Sequence, residues 1–247
     1  MANWSDPRTT AVPRAATGAR EAAFDAGLRS YMLSVYNYMA SGVLLTGIVA
    51  MLFARGGAES PAAQIFMQGG LIRFLVMLAP LGVVMWLSFG INRISEGTAK
   101  ALFWAYAVLM GLSLSTILLV YTGGSVAQAF FATAASFAAL SLYGYTTKKD
   151  LSGFGTFLIM GVFGLMVAML INMFVHSSAM NLLISAVGVL LFAGLTAYDT
   201  QRIKSGYFAV RGTAYAGKSA VMGALQLYLD FINLFLFLLR FMGNQRN

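Results

Sequence analysis

Seven long apolar runs, separated by short polar or glycine-containing connections, dominate the pattern of hydrophobic and polar positions. Each run is continuous rather than alternating, and each is close to the length that a helix needs to cross a bilayer. Transmembrane β-strands are shorter and alternate in polarity, so they fit this pattern poorly. The chain is therefore predicted to be an all-α polytopic membrane protein with helices over residues 31–53, 72–90, 101–121, 126–145, 154–175, 181–198 and 221–241.

The last predicted helix contains a carboxylate near its middle. Asp230 is surrounded in sequence by apolar residues, and a charge at that depth is costly unless it is hydrated or paired. At helical spacing it shares one stripe with the other polar or small positions of the run, which are Gly223, Gln226, Asn233, Phe237 and Arg240. The stripe predicts that Gln226, Asn233 and Arg240 line a pore or cavity beside Asp230. The alternative is a polar pair with a purely structural role.

A second carboxylate, Asp199, ends the sixth apolar run. Counting back in steps of three or four residues gives a face of mostly small and polar side chains, formed by Thr196, Phe192, Gly188 and Ser185. Two interpretations stay open. Either this face meets the stripe around Asp230, or Asp199 is a boundary residue at the membrane surface beside Arg202.

The composition supports the membrane assignment. Hydrophobic residues make up 59% of the 247 positions and charged residues 10%, and the mean hydropathy is +0.77. These values exclude an ordinary soluble domain. The chain has no cysteine, which excludes disulfides, thiolate chemistry and cysteine-based metal sites.

The two ends of the chain differ from the apolar region between them. Residues 1–27 contain Pro7, Pro13 and several charges but no apolar segment typical of a secretory signal. We expect a disordered cytosolic tail over residues 1–27, a transmembrane domain over 28–243 and a short C-terminal tail over 244–247.

The basic residues are distributed unevenly between alternate connections. Twelve of the 16 lysines and arginines belong to the N-terminal tail and the connections expected on the same side, and the other four, Arg55, Arg73, Arg240 and Arg246, fall on the opposite side. Under the positive-inside rule this split predicts a cytosolic N-terminus and a C-terminus outside the cell. The net charge of +8 is then explained by orientation and lipid headgroups rather than by nucleic-acid binding.

No catalytic motif accompanies the apolar runs. HExxH, GxSxG and phosphate-loop patterns do not occur, and the last run has no lysine that could hold retinal as a Schiff base. His176, the only histidine, is expected to be an interfacial residue rather than a metal ligand. We predict a protein that is not an enzyme and needs no cofactor.

Two segments resemble the transmembrane Bax inhibitor motif family. They are Tyr198-Asp199-Thr200-Gln201 and the closing sequence LYLDFINLFLFLLRFMG over residues 227–243. The likeness covers the membrane region and includes the number of spans. It implies a fold in which six helices wrap around a central seventh. It also implies that Asp199 and Asp230 form the paired pH-sensing site of a calcium leak channel.

The resemblance assigns roles to two arginines as well. A family arginine near the inner end of the second span latches the aspartate pair, and the closest residue here is Arg93. Arg240 would help to order the outer half of the last helix. Its partner is open, because the second apolar run contains no acidic residue.

The chemistry of a carboxylate pair fits the implied role. Two carboxyl groups in contact in a poorly hydrated site cannot both ionise freely, so they should share a proton and titrate as a coupled unit. When both are ionised, Asp199 and Asp230 offer hard oxygen ligands for transient calcium binding. Calcium takes about six to eight oxygens, so water, Asn233 or backbone carbonyls would have to supply the rest.

Two classes of function follow from the sequence. The first is a pH-sensitive calcium leak channel of a bacterial inner membrane, gated by the two aspartates, whose partners are the lipid bilayer and calcium ions. The second is a non-conducting membrane interaction protein that modulates a membrane protease or a stress response through other membrane proteins. Neither class fixes the oligomeric state.

The charge distribution gives a topological prediction. A tag placed after Asn247 should be accessible only from outside the cell, whereas a tag in the connection spanning Arg202–Lys218 should be protected, because the basic connections remain cytosolic. Accessibility to an impermeant label in intact cells measures both positions. Labelling of both tags from the same side would contradict the seven-span arrangement.

Overall fold

The computed structural model describes residues 14–67 and 69–246, with side chains from residue 26 onward. Within these residues the chain forms eight α-helices and one short 3₁₀ helix, Gly57–Glu59, and no β-strand. The helices are α1 Arg14–Phe53, α2 Pro61–Met67, α3 Leu71–Gly90, α4 Glu96–Val120, α5 Gly123–Thr146, α6 Ser152–Val175, α7 Ser178–Val210 and α8 Ala216–Met242.

Seven of these helices are long and apolar enough to cross a membrane, namely the part of α1 from Ala26 and helices α3 to α8. They coincide with the seven predicted runs, so the prediction of an all-α polytopic membrane protein is confirmed. The predicted sixth and seventh spans are α7 and α8. We call the end of the bundle where α3, α5 and α7 terminate the basic face, because Arg93, Lys148 and Arg202 lie there.

The first helix begins earlier than the sequence pattern suggested. It starts at Arg14, so residues 14–27, which we expected to be disordered, are helical. Alanine is frequent in this segment and is the strongest helix former, which accounts for the extension. Residues 1–13 of the predicted tail lie outside the described residues.

The short helix α2 was not predicted. It lies in the connection between α1 and α3, and the Ser60 hydroxyl caps it by accepting a hydrogen bond from the amide of Ala63 at 3.1 Å. Pro61 occupies the first helical position, where its fixed φ and missing N–H are tolerated. Predicting membrane spans from the length of apolar runs does not detect a helix that is too short to cross the bilayer.

The helix α7 extends well past the end of its apolar run. It continues from the predicted end at Tyr198 to Val210, so Arg202 and Lys204 belong to a helix and not to a basic loop. The extension is held by side-chain contacts with the end of α5 and the connection after it: the Gln201 amide donates to the Lys149 carbonyl, and the Lys204 ammonium donates to the Tyr145 carbonyl. The remaining connection to α8 is residues 211–215.

The last helix is the most buried of the seven spans. It packs against α1, α4, α5 and α7. At its centre Tyr228 is fully buried, and its hydroxyl donates to Thr46, which in turn donates to the Ala107 carbonyl. The wrapping of all six other spans around α8 stays a prediction.

The start of α8 is fixed at the basic face. The Glu96 carboxylate lies directly against Gly217, where a β-carbon would collide with it, and it also pairs with Lys100 at 2.6 Å. A carboxylate beside the first turn of a helix is favourable, because free N–H groups and the helix dipole face it. The Lys218 ammonium adds a hydrogen bond to the Ile91 carbonyl. These contacts thus fix the position of α8 along the axis of the bundle.

Candidate functional site

The two predicted carboxylates come together between α7 and α8. Asp199 and Asp230 are each only 4% exposed, and their carboxyl groups interact directly. One oxygen of each group, Oδ1 of Asp199 and Oδ2 of Asp230, is buried without a hydrogen-bond partner. Asp199 is therefore a buried member of a pair, which rules out the alternative of a solvated boundary residue.

The helix α7 presents small side chains at this contact and keeps their hydroxyl groups occupied. Thr196 donates to the Phe192 carbonyl and Thr200 donates to the Thr196 carbonyl, each at 2.8 Å. Hydroxyls that bond their own helix have no proton left for a neighbouring carboxylate. The sequence of α7 thus permits close approach of α8 while offering the carboxylates few donors.

Two further polar side chains border the pair. Gln226, one turn before Asp230 on α8, lies beside the Asp199 carboxyl group, and the positive charge of Arg202 acts on the same group. Asp230 has Asp199 as its charged neighbour. Because two adjacent carboxylates in a region of low dielectric repel each other strongly, they should share a proton and titrate together.

A cavity of about 430 Å³ lies beside the pair, on the side of the basic face, and is lined by Gln226 and Arg202, the two residues that border Asp199. It lies between α1, α3, α7 and α8, and its lining includes Tyr31, Ser88, Arg202 and Gln226. Its residues are a mixture of polar and apolar types, so water can be accommodated there. The space next to the buried pair thus lies on the side of the basic face.

The opposite side of the pair is closed by an apolar plug, which we define as Phe192, Leu195, Leu234 and Phe237 with their buried neighbours. The rings of Phe192 and Phe237 stack with centroids 5.6 Å apart. Gly188 makes this packing possible, because a β-carbon at that position would overlap the Phe237 ring. The described conformation is therefore sealed on the side away from the basic face.

Two residues of the predicted stripe do not reach the carboxylates. The Asn233 amide donates to the Leu229 carbonyl of its own helix at 2.8 Å. Arg240 is exposed near the end of α8, where its guanidinium lies 5.6 Å from the Phe237 ring centroid and 3.9 Å from the Met169 sulfur. Gln226, Asn233 and Arg240 were predicted to line a pore or cavity beside Asp230. Of these three, only Gln226 lines the cavity observed at the basic face.

The predicted latch, Arg93, is also placed elsewhere. It follows α3 and lines a surface pocket with Trp86 and Phe89, and the interactions of the two carboxylates in the described part of the chain do not include it. Arg202 is the cation beside the pair. The sequence analysis named it beside Asp199 only for the case of a boundary residue and did not assign it to the pair. Arg202 follows Asp199 by three residues. That spacing brings the two residues about one helical turn apart only if α7 continues past Asp199.

The pair by itself does not form a resident metal site. Within the described residues, no three His, Cys, Asp or Glu side chains cluster in a way that could hold a metal ion. Two carboxylates suit a cation in passage, provided that water and neutral oxygens complete its coordination. Gln226 is the neutral amide beside the Asp199 carboxyl group.

Comparison with known proteins places the chain among bacterial membrane proteins. The family described as "Inhibitor of apoptosis-promoting Bax1" matches residues 28–247. An uncharacterized protein of Rickettsia prowazekii is 45% identical, and the match covers 94% of this chain and 96% of the relative. The inner membrane protein YbhL of Escherichia coli is 44% identical, with 90% and 94% of the two chains covered.

Another relative, an uncharacterized protein of Caulobacter vibrioides, is 45% identical over 90% of this chain and 91% of its own length. The family match spans all seven helices that can cross a membrane. The resemblance inferred from the segments around Asp199 and Asp230 is thus confirmed. The chain belongs to the Bax inhibitor family of integral membrane proteins.

Proposed function

We propose that the protein is a pH-sensitive calcium leak channel in which Asp199 and Asp230 form the gate. The observation that supports this proposal is the contact of two buried carboxyl groups, each with an unpartnered oxygen, beside Gln226 and Arg202, which line a cavity. Buried ionisable groups inside a membrane domain mark ion or proton pathways more often than packing. Calcium as the physiological ion rests on the family resemblance.

The gate follows from the protonation states of the pair. With one shared proton, the two carboxyl groups attract each other and hold α7 against α8. With no proton, two adjacent negative charges repel each other and need a cation or water between them. A change in pH therefore changes the force between the two helices, and the ionised oxygens become ligands for a passing cation.

Conduction also requires that the apolar plug separates. Phe192 and Phe237 lie on α7 and α8, the same helices that bear the carboxylates. Movement of one helix away from the other would separate the two rings together with the acidic groups. The carboxylate contact and the plug would thus act as parts of one gate.

The location follows from the relatives and the charge pattern. YbhL is an inner membrane protein, and we infer an inner membrane location for this chain as well. The basic face is then cytosolic by the positive-inside rule. Protons and ions would reach the carboxylates from the cytosol through the cavity lined by Arg202 and Gln226.

A second function is a non-conducting interaction protein that modulates a membrane protease or a stress response. The sealed plug favours it, since the described conformation has an apolar barrier beside the carboxylates. In that function the shared proton would only hold α7 and α8 together. Calcium flux through the purified protein separates the two functions.

The carboxylate pair can be tested by calcium flux into liposomes across a pH series. Asp230→Asn should abolish most of the pH dependence, and Asp199→Asn should do nearly the same, because a coupled site requires both members. Asp150→Asn is the matched control, since Asp150 is an exposed carboxylate that only caps Ser152. Unchanged flux and pH response in both folded pair variants would favour the interaction protein.

The two arginines can be distinguished in the same assay. A neighbouring cation favours the ionised form of a carboxyl group, so Arg202→Gln should let the pair retain its proton to higher pH. The midpoint of the pH response should therefore move upward. Arg93→Gln should leave the midpoint unchanged, because Arg93 lies in a different pocket. A shift in the Arg93 variant alone would restore the latch that the family resemblance assigns to it.

The plug predicts the effect of a smaller side chain. Phe237→Ala should raise the basal calcium leak, because removing the ring opens a gap between α8 and the α7 residues Gly188 and Phe192. Phe174→Ala is the control, since Phe174 is 77% exposed and faces outward from α6. The variants are compared in samples with the same fraction of folded protein, measured by gel filtration. An unaltered leak in folded Phe237→Ala would place the barrier elsewhere.

A further inference from the structure

A second cavity opens sideways between α1 and α5, in the half of the bundle nearest the basic face. Its volume is about 540 Å³, and we call it the α1/α5 cleft. Most of its wall is apolar, as shown by Met32, Leu33, Met39, Phe137 and Leu142. A lateral opening at this depth of a membrane helix bundle faces lipid, so acyl chains are the molecules that can enter it.

Hydrogen bonds hold the back of the cleft in a fixed shape. The hydroxyls of Tyr36 on α1 and Ser141 on α5 are 2.6 Å apart, and Ser141 is 3.0 Å from Thr200 on α7. These side chains bridge three helices across the gap. The cleft is thus formed in advance, as ligand sites commonly are.

The end of the cleft at the basic face is positively charged. Arg29 lies in its lining and is exposed. The Lys204 ammonium lies 4.9 Å from the centroid of the Tyr145 ring, which also lines the cleft, and bonds the Tyr145 carbonyl at 2.7 Å. No acidic side chain occurs among the cleft residues that the structure describes. An apolar wall therefore ends in cationic groups at headgroup level.

We propose that the α1/α5 cleft binds an anionic phospholipid from the leaflet at the basic face. One acyl chain would lie along Met39, Phe137 and Leu142, and the phosphate would lie at Arg29 with Lys204 nearby. A guanidinium can bind two phosphate oxygens at once, and basic pockets between transmembrane helices suit acidic headgroups. Hydrogen-bonded side chains bridge the helices at the back of the cleft, and its volume of about 540 Å³ suits a single acyl chain better than a second helix.

The experiment is native mass spectrometry of the full-length protein with added phosphatidylglycerol or phosphatidylcholine of identical acyl chains. The unmodified protein should retain one phosphatidylglycerol molecule more tightly than phosphatidylcholine. Arg29→Gln should weaken phosphatidylglycerol binding about tenfold, as expected when a charge-assisted hydrogen bond is lost. Arg29→Lys should restore part of it. Ala138→Phe, which fills the cleft without changing charge, should abolish retention of the lipid.

Lys148→Gln is the matched control, because Lys148 is an exposed lysine of the basic face outside the cleft lining. Equal losses in the Lys148 and Arg29 variants would indicate diffuse attraction to the basic face and overturn the proposal. Equal retention of the two lipids, or full retention in Ala138→Phe, would overturn it as well. So would a dimer that Ala138→Phe dissociates, since a second copy would then occupy the cleft. Unfolding temperatures of all variants check that each is folded.

Discussion

The contact between two carboxyl groups in a membrane interior is the constraint on which the rest of the bundle depends. An isolated charge at that depth is expensive, and two together are tolerated only if they share a proton or gain a cation. The surrounding residues limit those choices. Thr196 and Thr200 use their hydroxyls within α7, so the remaining polar partners are Gln226 and Arg202. The charge of the site therefore depends on how many protons the two carboxyl groups hold.

The surroundings of the pair differ between the side toward the basic face and the side away from it. On one side the Phe192 and Phe237 rings stack beside Gly188, and on the other a cavity of about 430 Å³ is lined by Arg202. If the pair exchanges protons or ions as proposed, the exchange is expected from the basic face. A symmetric environment would give the pair no preferred side for exchange. The helices α7 and α8 bear both the carboxyl groups and the apolar plug.

Apolar length predicted the spans, and helical spacing predicted that Gln226 lies on the face of Asp230. The pairing of Asp199 with Asp230 was implied by the family resemblance, because helical spacing alone left open whether the two faces meet. The sequence placed Arg202 beside Asp199 only for the case of a boundary residue. It did not predict Arg202 as the cation of a buried pair, since the apolar run ends at Tyr198 and gives no sign that α7 continues to Val210. Helical spacing also shows which face of a helix a residue lies on, but it does not show which residues that face contacts. Asn233 and Arg240 share the stripe of Asp230, but their actual contacts are with Leu229 and Met169.

The helix α7 connects the two proposed sites. Asp199 contacts α8, and the next residue, Thr200, lies against Ser141 of α5, which in turn contacts Tyr36 at the back of the α1/α5 cleft. Movement of α7 away from α8 must therefore strain or break the Ser141 to Thr200 contact. A lipid that fills the cleft would hold α1 and α5 in place and so fix one side of that contact. If the aspartate pair gates calcium as proposed, the leaflet at the basic face would act on the gate through α7.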